Sequence, residues 1–213
     1  MEIAVYKIDG QDSGKKVVLD DTVFGIEPNN HAIYLDVKQH MANKRQGTHK
    51  TKERWEIAHS TRKIVRQKGS GGARHGSLKA GIFVGGGRTF GPQPRSYRFK
   101  LNKKLKQLAR RSALTYKAQD QAITVLEPFT MDTPRTKDFL AICQNLNVNG
   151  KKILLVLPER DRNIYLSSRN IQRVKVITIE ELNTYDILNA QNLILIEGVE
   201  ARISELLGTT QSA

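Results

Sequence analysis

An α/β fold is predicted for this 213-residue chain: a single three-layer sandwich around a mainly parallel sheet, with one long, extended basic loop. Two observations carry the prediction. Short apolar runs alternate with helical periodicities on both sides of the middle of the chain, the pattern of a parallel sheet with helices on both faces. The middle itself, from about Lys44 to Lys100, keeps no sustained period of 2 or 3.6.

The elements follow in order. Glu2–Ile8 reads as a strand carrying Ile3, Val5 and Ile8, closed by Asp9-Gly10. After the polar Pro28-Asn29-Asn30 a helix is expected, with Ile33, Val37 and Met41 stacked one turn apart. Leu101, Leu105 and Leu108 mark another helix, whose remaining faces carry Lys103, Lys104, Lys106, Arg110 and Arg111. Ala122–Leu126 is a short apolar strand. Asp132-Thr133-Pro134 has the cap and first-turn proline of a helix start, leading to Phe139, Ile142 and Leu146. Lys152–Leu157, ended by Pro158, is the continuous apolar run of a strand buried on both faces. A short helix around Asn163–Arg169, a strand Val174–Ile179 and a turn near Glu180–Asn183 come next. The buried strand Asn192–Ile196 and a helix marked by Val199, Ile203 and Leu206 close the domain. The expected division is a globular domain of residues 1–43 and 101–208, the inserted loop 44–100, and a polar tail 209–213 with no assigned function.

Charge separates the parts sharply. The chain carries +14 overall, with a pI near 10.0. Between Lys38 and Arg111 there are 21 Lys/Arg against only Glu53 and Glu56, whereas residues 1–37 and 112–213 net −4 and −1. Nine of the 16 glycines fall between Gly69 and Gly91. Hydrophobic residues are 38% of the chain, below the roughly 45–50% of globular domains, as expected when a core is diluted by a segment without one. A loop this long exceeds the roughly 12–15 residues that compact domains tolerate, so it is functional, disordered or both. Repulsion among its cations keeps it extended until a polyanion neutralises them.

Other chemistry finds no footing. The lone Cys143 excludes an internal disulfide and a cysteine zinc cluster, and sits on the apolar side of its helix as a small core residue. Met1–Tyr6 lacks the pattern of a secretion signal and no apolar run approaches a membrane span of roughly 18 residues, so a cytoplasmic protein with no membrane partner is expected. No phosphate-binding loop follows any expected strand: Gly150-Lys151-Lys152 precedes one, and Leu157 runs into Pro158-Glu159. Gly85-Gly86-Gly87 has neither a strand before it nor a helix after it. His40, His49, His59 and His75 lack the spacing of a helical metal pair and read as solvated or RNA-contacting side chains. Catalytic residues, metal ligands and cofactors are therefore all expected to be none.

The segment's composition suits folded RNA. Lysines supply point charges to phosphates: Lys44, Lys50, Lys52, Lys63, Lys68, Lys79, Lys100, Lys103 and Lys104. Arg45, Arg54, Arg62, Arg66, Arg74, Arg88, Arg95 and Arg98 add planar forks that clamp phosphates or stack on bases. Gln46, Thr48 and Gln67 lie among them as polar contacts. Trp55, Phe90 and Tyr97 offer stacking surfaces, worth ~1–3 kcal/mol per base. Phe83 and Phe99 are interleaved in the same way, Tyr97 and Phe99 being also placed to anchor the base of the loop. No helix-turn-helix, zinc finger or basic zipper is present to enter a DNA groove. The competing reading is an α/β enzyme whose loop captures a nucleic-acid substrate.

At these residues the sequence resembles the bacterial large-subunit ribosomal protein four family, over essentially the whole chain. Arg45-Gln46-Gly47-Thr48 matches the motif opening the family's long loop, and Arg66-Gln67-Lys68-Gly69-Ser70-Gly71-Gly72-Ala73-Arg74-His75-Gly76-Ser77 resembles its central signature. Gly85 to Arg95 followed by Leu101-Asn102-Lys103-Lys104 resembles the returning arm, and Leu157-Pro158-Glu159 and Tyr165 to Asn170 fit the scaffold. The resemblance implies a structural constituent of the large subunit that binds its 23S-type RNA and aids assembly. It implies a loop tip, Arg66, Gln67, Lys68 and Gly69, lining the nascent-peptide tunnel opposite ribosomal protein number twenty-two. The implied partners are ribosomal RNA, neighbouring ribosomal proteins and the nascent peptide, with no homo-oligomer. Ile64-Val65 stands where many members have Pro-Trp, and Gly72 where an arginine is usual.

Overall fold

The computed structural model describes residues 1–208, so the polar tail at 209–213 lies outside the described residues. Two compact units divide the chain: Met1–His40 with the chain from Lys100 onward, and Met41–Phe99.

The first unit is α/β. Its strands are β1 (Glu2–Tyr6), β2 (Asp12–Val18), β3 (Ile123–Leu126), β4 (Ile153–Leu157), β5 (Val174–Thr178) and β6 (Asn192–Ile196). They form one sheet in the order β2-β1-β3-β6-β4-β5. Only the β1–β2 hairpin is antiparallel; every other pairing is parallel. The helices are α1 (Asp21–Phe24), α2 (Asn30–Asn43), α3 (Lys103–Gln119), α4 (Thr136–Asn145), α5 (Arg162–Ser168), α6 (Thr184–Asn189) and α7 (Val199–Leu207). The chain moves one way along the sheet through β3, β4 and β5, then turns back to β6. Right-handed crossovers therefore place α4 and α5 on one face and α6 on the other. The packing agrees: α4 meets α5, while α3 touches α1, α6 and α7.

Register builds the core. Val5, Val125, Leu195, Val156 and Ile177 lie side by side across five strands, the first four with no exposure and Ile177 with 5%. Each such side chain contributes roughly 1.5–3 kcal/mol of burial. All five residues of β4 are buried, as its continuous apolar run predicts. Cys143 is buried beside Phe139 and Ile142 on α4, and burial pushes its thiol up to about 11. Polar ties fix the helices: Thr184 Oγ1 donates to Asp36 Oδ2 at 2.6 Å, and the buried Lys117 Nζ donates to the Ala190 carbonyl at 2.8 Å.

Several expected elements shift. β1 stops at Tyr6, and Ile8 is outside it. The α4 helix begins at Thr136, with Arg135 at its cap and no capping side chain, not at Asp132-Thr133-Pro134. The reason is tertiary: Asn163 Nδ2 donates to the carbonyls of Met131 and Asp132, holding that stretch as a loop. On α2 the buried residues are Ala32 and Gln39, while Met41 is 57% exposed. On α7 the buried stripe is Val199, Ile203 and Leu207, and Leu206 faces solvent. The turn near Glu180–Asn183 leads directly into α6, where Asn183 Oδ1 caps the Asp186 amide at 2.8 Å. β2, α1 and α6 are elements that the periodicities did not mark.

Candidate nucleic-acid interface

Beyond the last residues of α2, the Met41–Phe99 unit has a single helical turn, the 3-10 turn Arg54–Glu56; the rest is turns, bends and irregular chain. Its backbone is nevertheless paired. The Arg95 amide donates to the Gly47 carbonyl (3.1 Å), Thr51 to Pro92 (3.1 Å) and Arg88 to Lys52 (3.0 Å). An outgoing arm near 47–52 and a returning arm near 88–95 thus run back along each other. Ile64 donates to Gly76 at 2.9 Å, closing the base of the Arg66–Gly69 tip. Gly47 is required where the arms meet: its φ is +68°, and a Cβ there would strike the Arg95 carbonyl and the Tyr97 ring.

Tyr97 anchors the same junction. The Arg45 and Arg95 guanidiniums lie 3.8 and 4.7 Å from its ring centre, and its hydroxyl is 3.3 Å from His49 Nε2. Contact with Arg95, followed by the charges of Arg95 and Arg45, holds the phenol below its ordinary pKa. Cation–π contacts of this kind contribute about 0.5–1 kcal/mol at exposed sites.

The two acids are occupied internally. Glu53 accepts from Trp55 Nε1 at 2.7 Å and from Gln93 Nε2 at 2.6 Å. Glu56 pairs with Lys50 and accepts from the Glu53 amide at 3.0 Å, so its carboxyl lies below the ordinary carboxylate range, chiefly through Lys50. Fourteen Lys/Arg lie between Met41 and Phe99, and Lys50 among them pairs with the Glu56 carboxylate.

The sequence-predicted contact residues are all exposed except Lys79 and Tyr97, which are half-buried. Trp55 is 74% exposed and Phe90 99%. Lys50 lies over the Trp55 ring at 5.9 Å, and Lys63 bonds to Gln67 beside the tip. Arg54 Nη2 reaches the buried Ser77 hydroxyl at 3.3 Å. Lys100, Lys103 and Lys104 belong to the scaffold, the last two in the first turn of α3. Sequence reasoning missed the roles of Gln93 and Ser77 and the packing of His75 on Phe83 at 5.2 Å. No spacing signal marks any of them; an acid isolated among cations is the one available hint, and it points to Glu53 and Glu56. Among the described residues no cluster of three His, Cys, Asp or Glu could hold a metal, and no helix is long and apolar enough to cross a membrane.

The chain is 59% identical to a Parabacteroides distasonis protein named large ribosomal subunit protein uL4, over 96% of this chain and 98% of that one. Proteins of the same name from Bacteroides fragilis and Cytophaga hutchinsonii are 59% and 55% identical, each over 97% of this chain and 100% of theirs. Residues 17–206 match the ribosomal protein L4/L1 family, and the chain belongs to that family.

Proposed function

We propose that this chain is a non-catalytic constituent of the large ribosomal subunit that binds 23S-type ribosomal RNA and aids subunit assembly. The observation carrying this reading is electrostatic. The Met41–Phe99 unit exposes 13 of its 14 cations, while both of its acids are engaged within the unit, Glu53 with Trp55 and Gln93 and Glu56 with Lys50. Such a surface remains uncompensated until a polyanion reaches it. Exposed Trp55 and Phe90 beside those cations add faces for unpaired bases, which RNA offers and duplex DNA does not. Arg66, Gln67, Lys68 and Gly69 form the tip, placed at the peptide tunnel with the nascent chain and ribosomal protein number twenty-two as neighbours. The protein is accordingly cytoplasmic and ribosome-bound.

Sedimentation after a high-salt wash tests this. The protein is expected to remain with large subunits, whereas recovery in the soluble fraction at every salt concentration contradicts the reading. If 6–10 phosphates are neutralised, affinity for naked ribosomal RNA falls by about 10³–10⁵ between 50 and 200 mM salt.

A further inference from the structure

The near-neutral scaffold hides an uneven charge distribution. Residues 151–175 carry seven Lys/Arg and two acids, whereas residues 176–208 carry one Arg and six acids. The basic stretch comprises β4, α5 and the start of β5, at the end of the sheet where β5 has no outer neighbour among the described residues. Along β5 and at the carboxyl end of β4 lies a cleft of about 430 Å³, a volume suited to a small ligand such as one nucleotide. Leu157, Arg160, Tyr165, Arg169, Thr178 and Glu181 are among its lining.

Lys175 in the lining pairs with Asp186, whereas the arginines are unengaged. Arg160 and Arg169 are exposed and make no side-chain hydrogen bond or ion pair among the described residues, and Tyr165 is 44% exposed. Asp161, also in the lining, is committed to capping α5 through the Asn163 amide (2.7 Å) and the Ile164 amide (3.2 Å). The Arg169 amide donates to the Tyr165 carbonyl at 3.1 Å, so the two residues stand one helical turn apart on one face of α5. Nothing in the tunnel-loop function uses these groups.

We propose that this cleft is a second RNA site, which takes one unpaired nucleotide of ribosomal RNA. The base lies on Tyr165 and the flanking phosphates lie on Arg160 and Arg169. Glu181 can accept from an exocyclic base amino group. Arg160 lies just before α5 and Arg169 caps its far end, so the two arginines flank a helix roughly 10 Å long and are placed for two phosphates of a strand more than for a single phosphate group. No glycine lines the cleft, so the backbone cradle that wraps a free nucleotide's phosphates is missing. The site deepens the RNA-binding reading above and rests on it.

Ultraviolet cross-linking of intact large subunits, followed by trypsin, tests the site directly. Cleavage after Arg162 and Arg169 releases peptide 163–169, which is expected to carry a nucleotide adduct on Tyr165. Adducts on peptides from residues 41–99 but none on 163–169 would overturn the second site and leave the main reading intact. No adduct on any peptide overturns both. In solution, the full-length R160Q/R169Q variant is expected to flatten the dependence of log affinity on log salt by about 1.4, at ~0.7 per single-strand phosphate contact. Tyr165→Leu is expected to weaken RNA binding by roughly 5- to 150-fold with the slope unchanged. An unaltered slope in the arginine variant overturns the proposal. So does saturable binding of adenosine monophosphate that competes with no RNA.

Discussion

Glu53 Oε1 accepts a hydrogen bond from Gln93 Nε2 at 2.6 Å, across forty residues of chain. The other oxygen of the same carboxylate accepts from Trp55 Nε1 at 2.7 Å. One of only two acids in the basic unit therefore joins its outgoing and returning arms. Its hydrogen bonds shape the surface that carries the cations.

Removing that carboxylate should open the arms. In Glu53→Ala the arm pairing is expected to lose about 1–2 kcal/mol. Hydrogen exchange then reads ~5- to 30-fold faster exchange at the Thr51, Arg88 and Arg95 amides, which donate across the arms. Amides of β6 in the scaffold should keep their protection; equal loosening of both units would refute a local role.

Glu56 makes the unit acid-sensitive. Its native pKa is depressed, first by Lys50 and then by the Glu53 amide. Its contribution is thus fully present above the ordinary value of 4.5 and is lost as pH falls through the lower native value. Trp55 is the only tryptophan and bonds to Glu53, so its fluorescence should report the transition. Glu56→Gln should remove the acid step from that signal.

Gly47→Ala tests the crossing of the arms. At φ +68° with the Arg95 carbonyl and Tyr97 ring against the added carbon, the substitution is expected to destabilise the unit by about 1–3 kcal/mol. Trypsin should cut residues 41–99 faster in the variant, while thermal melting of the scaffold stays put.

Cys143 should be inert in the folded protein. Its thiol, raised by burial from 9.0 to about 11, ionises late. Its contribution to stability is present below pH 9.0 and fades as pH rises through about 11. Iodoacetamide at pH 8 should leave the native chain unmodified and label one thiol after denaturation in urea.

The scaffold was largely legible because buried parallel strands declare themselves: Ile153–Leu157 and Leu193–Ile196 are unbroken apolar runs, and every residue of both is buried. β2 was hidden because Asp-Ser-Gly-Lys-Lys-Val-Val is a mostly exposed edge strand with no buried face to impose alternation. The Asp132-Thr133-Pro134 signal failed because Asn163, thirty residues on, claims the carbonyls of that loop. In the basic unit, residue types revealed the charge but not the shape. Its arms pair through backbone groups at Gly47, Lys52 and Pro92, which leave no periodicity in the side chains. Tyr97, read both as a base-stacking surface and as an anchor, has arginines on its ring that only the fold brings there.

Residues 41–99 are proposed as the main RNA-binding surface. Limited trypsin digestion of the purified protein, with and without large-subunit ribosomal RNA at matched salt, measures it most directly. Cleavage after Arg62, Lys63, Arg66, Lys68 and Arg74 is expected to be suppressed by the RNA and restored when salt is raised. Equal cleavage at these sites with and without the RNA would contradict it.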